Sequence, residues 1–170
     1  NTLELILKRK DVVFFPATGR TRTSMARIIG NSFTDLFGGI ERVPGVYQQG
    51  LMVFDLQGKL IYERTLDEET LALACTVSRR LKCAFVCYSG ERIYCEDPLN
   101  KHVVDMRKYN DHPEPFEQGL HLLPSKGLAV HKVIILAEKE EIDKVRPTIE
   151  ATLEGVATVT QAVETMLEVL

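Results

Sequence analysis

No run of apolar residues in this 170-residue chain approaches the roughly 18–20 needed to cross a bilayer, so no membrane partner is expected. Lysine and arginine are scattered without a basic stripe and the formal charge is -3, so no nucleic-acid partner is expected either. No secretory signal and no methionine open the chain. Cys75, Cys83, Cys87 and Cys95 form no Cys-x-x-Cys pair. His102, His112, His121 and His131 show neither His-x-His nor His-Glu-x-x-His spacing, and surface or loop positions are expected for them. The thiols are read as reduced and buried, small hydrophobes in a cytoplasmic protein. There is no internal repeat and no low-complexity tract.

The length suits one α/β domain, or a small domain with a piece of another. The opening "NTLELILKRKDVV" reads as the last turns of an amphipathic helix. Leu3, Ile6 and Leu7 share a face, and Lys8, Arg9 and Lys10 sit where cations complement the helix dipole. An opening inside a helix and a strand-like "LEVL" ending lead us to expect a fragment, with processing of a precursor as the alternative.

The apolar, partly β-branched run Val12–Phe15 reads as a buried parallel strand, followed by a helix from Thr21 or Thr23 to Ile29. "FGGIERVPG" is a loop. Two apolar runs, 51–54 and 60–62, flank Asp55-Leu56-Gln57-Gly58-Lys59 and predict a hairpin. Asp67 is an N-cap for a helix to about Leu81, with Leu71, Ala74, Cys75 and Val77 on its apolar face. The strand 83–88 leads through Ser89-Gly90 to a second hairpin strand, "RIYCE". The polar stretch 97–119 reads as a short helix and a loop. "HKVIILA" is a strand, and 138–155 a helix that Pro147 kinks or restarts. "ATVTQAV" and "TMLEVL" are final strands. From about Thr65 onward this describes an α+β unit whose helices cover one face of a mostly antiparallel sheet.

A threonine that ends a strand and precedes glycine can offer its hydroxyl and neighbouring N–H groups to one anion. In "ATGR", Thr18 has that place, Gly19 has no Cβ to block a ligand, and Arg20 adds a planar cation suited to phosphate. An ordinary turn after a strand is the other reading of these three residues.

The wider order resembles the haloacid dehalogenase superfamily, and more narrowly its Cof-like sugar phosphatases with a type IIB cap. The resemblance runs through "DVVFFPATGRTRTSM", "PGVYQQGLMVFDLQGKLIYERTLDEET", "HKVIILAEKEEIDKVRPTIEATL" and "TQAVETMLEVL". It implies an α/β chain: a partial Rossmann-like core piece over residues 1–64, and an α+β cap domain with a mostly antiparallel sheet over residues 65–170. By position Thr18 takes the role of the phosphoryl-binding hydroxyl, with Gly19 and Arg20 beside it. Gln49 stands where the family has Asn before Gly, Gly50 is that Gly, and Leu51 replaces an Ala. The resemblance also implies a nucleophilic Asp-x-Asp ahead of the threonine, and a later Lys with acidic residues that hold Mg²⁺. None of these is in the 170 residues, so Mg²⁺ belongs to the intact parent and has no ligands here. "VFDLQGKL" and "LPSKG" imitate the missing motifs in the wrong order, and read as a hairpin turn and a loop. Arg107 and His112 fall where cap loops of the family contact the leaving group.

The expected function is a fragment of a Mg²⁺-dependent phosphatase of small phosphorylated metabolites, acting through an aspartyl-phosphate and inactive alone. The alternative is a cap-like module that binds a ligand or partner without catalysis. A redox or metal protein built on the cysteines is a third class.

Overall fold

The computed structural model describes residues 2–7, 9 and 11–170. Lys8 and Lys10 lie outside these residues, as do the side chains of Leu3 and Leu7, so the expected apolar face and basic trio of the first helix are not described. The chain divides into two compact units, Asn1–Arg64 and Thr65–Leu170. No helix among the described residues is long and apolar enough to cross a membrane.

Unit 1 holds α1 (Thr2–Leu7), α2 (Arg22–Ile29), α3 (Asn31–Asp35) and a three-stranded antiparallel sheet of β1 (Gly45–Tyr47), β2 (Met52–Phe54) and β3 (Leu60–Glu63). Its core joins Met25, Phe33, Val43, Tyr47, Met52 and Phe54. The hairpin turn forms as its sequence predicts: Asp55 Oδ1 accepts from the N–H groups of Gln57 and Lys59, each at 2.9 Å. Thr21 is the N-cap of α2, its hydroxyl accepting from Ser24 N at 3.0 Å. The short α3 carries no strong sequence signal and was not expected.

Val12–Phe15 is not a buried strand. The segment is extended, but its one β-contact is an isolated parallel bridge, Ala17 to Val46. Phe14 turns inward to meet Phe33 edge-on at 6.4 Å, whereas Val13 and Phe15 point out, 66% and 48% exposed. Alternation survives, because it is a property of extended backbone. Burial does not, because no described strand flanks the segment on that side.

Unit 2 is built on a six-stranded sheet. Its elements are α4 (Glu68–Arg80), β4 (Ala84–Ser89), β5 (Arg92–Cys95), α5 (Lys101–Asp105), β6 (Glu114–Pro115), β7 (Lys132–Leu136), α6 (Lys139–Leu153), β8 (Val159–Val163) and β9 (Met166–Val169). The strand order is β6-β5-β4-β7-β9-β8, antiparallel except for the short parallel pair β5–β6. Alternation within β4 and β7 sends Phe85, Cys87, Val133 and Ile135 to one face, where α4 and α6 pack with Leu71, Ala74, Ile142 and Ile149. It sends Val86, Tyr88, Ile134 and Leu136 to the other, where α5 adds Val103 and the following turn Met106. Helices therefore lie on both faces, not one; Val103 and Met106, three residues apart, give the short α5 an apolar side of its own.

Asp67 caps α4 through Thr70 N at 2.7 Å, and this hydrogen bond holds its carboxyl below the usual range. Pro147 neither ends nor restarts α6, which is one helix of 15 residues. Pro147 and Asp143, whose carbonyl would have taken the missing N–H, both lie on the exposed side, where water can serve that carbonyl. All four cysteines are free and buried. Burial pushes their thiols up at Cys83 and Cys87, and to about 11 at Cys95. His131 departs from the surface position expected of it: it is 2% exposed, with Nδ1 accepting from Gly90 N at 3.1 Å. Its place at the mouth of β7, beside the β4–β5 turn, encloses it.

Candidate phosphate site in unit 1

The parallel bridge fixes Thr18. Val46 N donates to Pro16 O and Thr18 N to Val46 O, each at 2.9 Å, so the chain reaches Thr18 under ladder control and leaves it as a turn. The Thr18 hydroxyl accepts from Arg20 N at 3.2 Å. Its own proton remains to donate, which is the polarity an anion requires. Thr18, Gly19 and Arg20 are all half-buried, at the start of the segment that becomes α2.

The second half of the site is the turn 48–50. Gln48 N donates to Arg20 O at 3.0 Å and Gln49 N to Thr18 O at 3.4 Å, which join the two loops by their backbones. Gln48, Gln49 and Gly50 have φ of 50°, 55° and 90°. Two successive non-glycine residues in the left-handed region are costly, of the order of 1 kcal/mol each. The bonds to Thr18 and Arg20 hold them there. Sequence reasoning selected Gln49 and Gly50 by position alone; the backbone conformation had no signal in the residue types.

Gly19 also makes room for a neighbouring side chain. A Cβ built on it would lie 2.7 Å from Gln49 Nε2 and 3.0 Å from Gln49 Cδ. The space that glycine leaves open is filled by the Gln49 side chain, so Thr18, Gly19, Arg20, Gln49 and Gly50 do come together as one small surface. Arg22 turns away from it. Its guanidinium stacks 4.0 Å over the Phe54 ring and donates to Glu41 O at 2.9 Å, tying α2 to the hairpin. Ser24 adds a feature no motif announced: its hydroxyl is buried and has no hydrogen-bond partner among the described residues.

Arg107 and His112 both lie exposed in unit 2. Lys126 of the "LPSKG" loop is exposed as well, in a short 3-10 turn. Among the described residues no group of three His, Cys, Asp or Glu side chains could hold a metal ion. The hydroxyl, cation and amide donors around Thr18 suit an anion and do not fit Mg²⁺, which takes oxygen ligands, carboxylates foremost.

These observations meet the comparisons with known proteins. The family model for haloacid dehalogenase-like hydrolases matches residues 3–170. A protein of Arabidopsis thaliana named chloroplastic endoribonuclease YBEY is 30% identical over 174 residues, which cover 98% of this chain and 29% of that protein. Among solved structures, a Thermotoga maritima protein superimposes with a TM-score of 0.74 at 20% identity, over 91% of this chain and 55% of its own. A haloacid dehalogenase-like hydrolase of Bacteroides thetaiotaomicron gives 0.73 at 18% identity, over 91% and 56%. A subclass IIB sugar phosphatase of the same superfamily gives 0.67 at 14% identity, over 99% and 60%. The chain thus spans between half and two thirds of the length of these solved structures, and less than a third of the Arabidopsis protein. It belongs to the haloacid dehalogenase-like hydrolases, with the fold of their Cof-like branch.

Proposed function

We propose that this chain is the phosphoryl-binding and substrate-selecting part of a Mg²⁺-dependent phosphatase of small phosphomonoesters. The observation that carries the reading is the Thr18 hydroxyl. It is held by a parallel bridge, its lone pair is engaged by Arg20 N, and its proton is left to donate, in a chain of this hydrolase family. Thr18 donates to a phosphoryl oxygen. Arg20 contributes charge, and Gln49 and Gly50 form the facing wall. Unit 1 is a portion of the hydrolase core and unit 2 its cap. The carboxylates for phosphoryl attack and for Mg²⁺ come from sequence other than these 170 residues, which hold no Asp-x-Asp ahead of Thr18. Magnesium, when bound there, would neutralise phosphoryl charge.

The test uses an aryl phosphate with Mg²⁺. The 170-residue chain is expected to be silent. A polypeptide extended to include both flanking segments is expected to hydrolyse the ester, with kcat/KM reduced about 100-fold by Thr18→Val and far less by Thr18→Ser. Turnover by the pure 170-residue chain that vanishes in Thr18→Val would overturn the division of labour. An inactive extended chain would favour the alternative, a module that binds without chemistry.

The Arabidopsis relative favours one refinement of substrate. That protein carries the name of an endoribonuclease, and a phosphatase working beside such an activity would meet phosphorylated RNA ends, which are phosphomonoesters of which nucleoside monophosphates are the smallest mimics. Hydrolysis of nucleoside monophosphates in preference to hexose phosphates by the extended chain would support it. Cytoplasm was expected from the reduced thiols, and the relative's name adds the chloroplast; fractionation of the source cells distinguishes them.

A further inference from the structure

Ten of the eleven glycines take a positive φ, the backbone region that favours glycine. Gly19 is the exception, so φ gives no reason for glycine at this position. The obstacle to a side chain there is steric, and it comes from one residue. The three heavy atoms nearest a Cβ built on Gly19 are Gln49 Nε2 at 2.7 Å, Cδ at 3.0 Å and Cγ at 3.6 Å. The carboxamide of Gln49 rests on the bare Cα of Gly19.

Backbone bonds bring Gln49 to this seat. Gln49 has a left-handed φ of 55°, and its N–H donates to Thr18 O at 3.4 Å. The N–H of Gln48 donates to Arg20 O at 3.0 Å. The turn 48–50 therefore meets three successive residues: Thr18 and Arg20 through the backbone, and Gly19 through the Gln49 side chain. Gly19, Arg20, Gln48 and Gln49 make further interactions as well, so the seat is one tie among several.

What the seat adds is direction. The Thr18 hydroxyl accepts from Arg20 N at 3.2 Å, across the turn, so the aim of its proton depends on the shape of residues 18–20. A turn held at its two carbonyls can pivot about them. A side chain packed on the middle residue opposes that pivot.

We propose that Gln49 is a positioning residue for Thr18: its carboxamide, seated on Gly19, sets the shape of the 18–20 turn, and glycine stands at position 19 to make the seat. The proposal rests on the reading of Thr18 as the phosphoryl-binding hydroxyl. The obstructing atoms are the far end of a flexible side chain, so a methyl group at 19 displaces them at little cost in stability. Gly19→Ala and Gln49→Ala then do the same damage by opposite routes. One fills the seat and the other empties it.

The seat is read in the 170-residue chain from its amide spectrum by nuclear magnetic resonance. Gly19→Ala is expected to shift the side-chain amide signals of Gln49, identified by their loss in Gln49→Ala, and to leave the melting temperature unchanged. Signals that do not move would overturn the seat, whatever the activity. The positioning role is read with an aryl phosphate and the extended polypeptide. Gly19→Ala and Gln49→Ala are each expected to lower kcat about 10-fold with KM little changed, and the double variant by the same factor, not by its square. Gln49→Met, which keeps the length that covers Gly19 and loses the amide, is expected to recover most of kcat. Losses that multiply in the double variant would overturn the proposal, since glycine would then serve the ligand directly. So would a Gln49→Met protein as slow as Gln49→Ala, since the amide would then be a ligand contact. An inactive extended polypeptide refutes the phosphatase reading and the positioning role with it, and the spectrum still decides the seat.

Discussion

The buried pair Lys132–Glu168 makes the sharpest demand on this structure. At 2.9 Å the two charges attract by about 6 kcal/mol at an effective dielectric constant of about 20. Desolvation of each ion takes back several kcal/mol, so the intact pair is close to neutral against a hydrophobic replacement. Removal of one member is another matter. Glu168→Gln leaves an ammonium dry, at a cost of about 3–5 kcal/mol, a large part of the roughly 5–15 kcal/mol typical of a domain. Lys132→Met/Glu168→Leu is expected to lie within about 1 kcal/mol of the parent, or above it.

The pH dependence follows from Lys132, whose ammonium burial holds below the usual lysine range despite the pull of Glu168 and Asp111. The unfolded chain keeps its proton to about pH 10.4, while the folded chain gives it up earlier, so stability rises with pH across that window. In Glu168→Gln the larger of these pulls is gone and only that of Asp111 remains, so the window opens at lower pH. Urea unfolding followed by far-UV circular dichroism, at neutral and alkaline pH, measures both effects. A Glu168→Gln protein as stable as the parent at pH 7 would refute the reasoning. So would a double variant that loses as much as the two single variants together.

Three further outcomes are expected. Gly58→Ala puts a Cβ 2.1 Å from Glu41 O at φ +78°, and should lower the stability of unit 1 by at least about 2 kcal/mol in a thermal melt. Thr21→Ala removes the cap of α2 and should cost about 1 kcal/mol, while Thr21→Ser should restore most of it. The four thiols should resist an aromatic disulfide reagent at pH 8 in the folded protein and all react in urea, because burial covers all four and also disfavours the thiolate at Cys83, Cys87 and Cys95; fast reaction of the folded chain would contradict this.

Much of unit 2 was legible because its elements are periodic and capped. Asp67 before Glu68 and Glu69 announces α4, and the β-branched "HKVIILA" announces β7. The hairpin 51–63 was legible through Gly58 and Asp55, whose local hydrogen bonds make the turn whatever surrounds it. Val12–Phe15 was misread because an apolar run gives backbone shape but not its neighbours. Of the two readings of Pro147, a kink or a restart, the restart does not occur, because the cost of proline depends on whether the abandoned carbonyl meets water. At the candidate site, Thr18, Gly19 and Arg20 were legible as a short run that suits an anion, and Gln49 and Gly50 through family likeness. That the Gln49 side chain lies over Gly19 was not, since 30 residues separate them in the chain.

The sequence by itself determined the main helices and strands of unit 2 and the hairpin of unit 1, the boundaries of the capped helices, the hydroxyl at Thr18 and membership of a hydrolase family. These are local matters, decided by spacing, capping chemistry and motif. Tertiary structure alone decided which face α5 covers, that His131, Lys132, Asp111 and Glu168 are dry, and that Gln48 and Gln49 are held left-handed against Thr18 and Arg20. Those are consequences of residues far apart in the chain sharing one low-dielectric space. There the energy of a charge or a strained turn is set by its partners, not by its type.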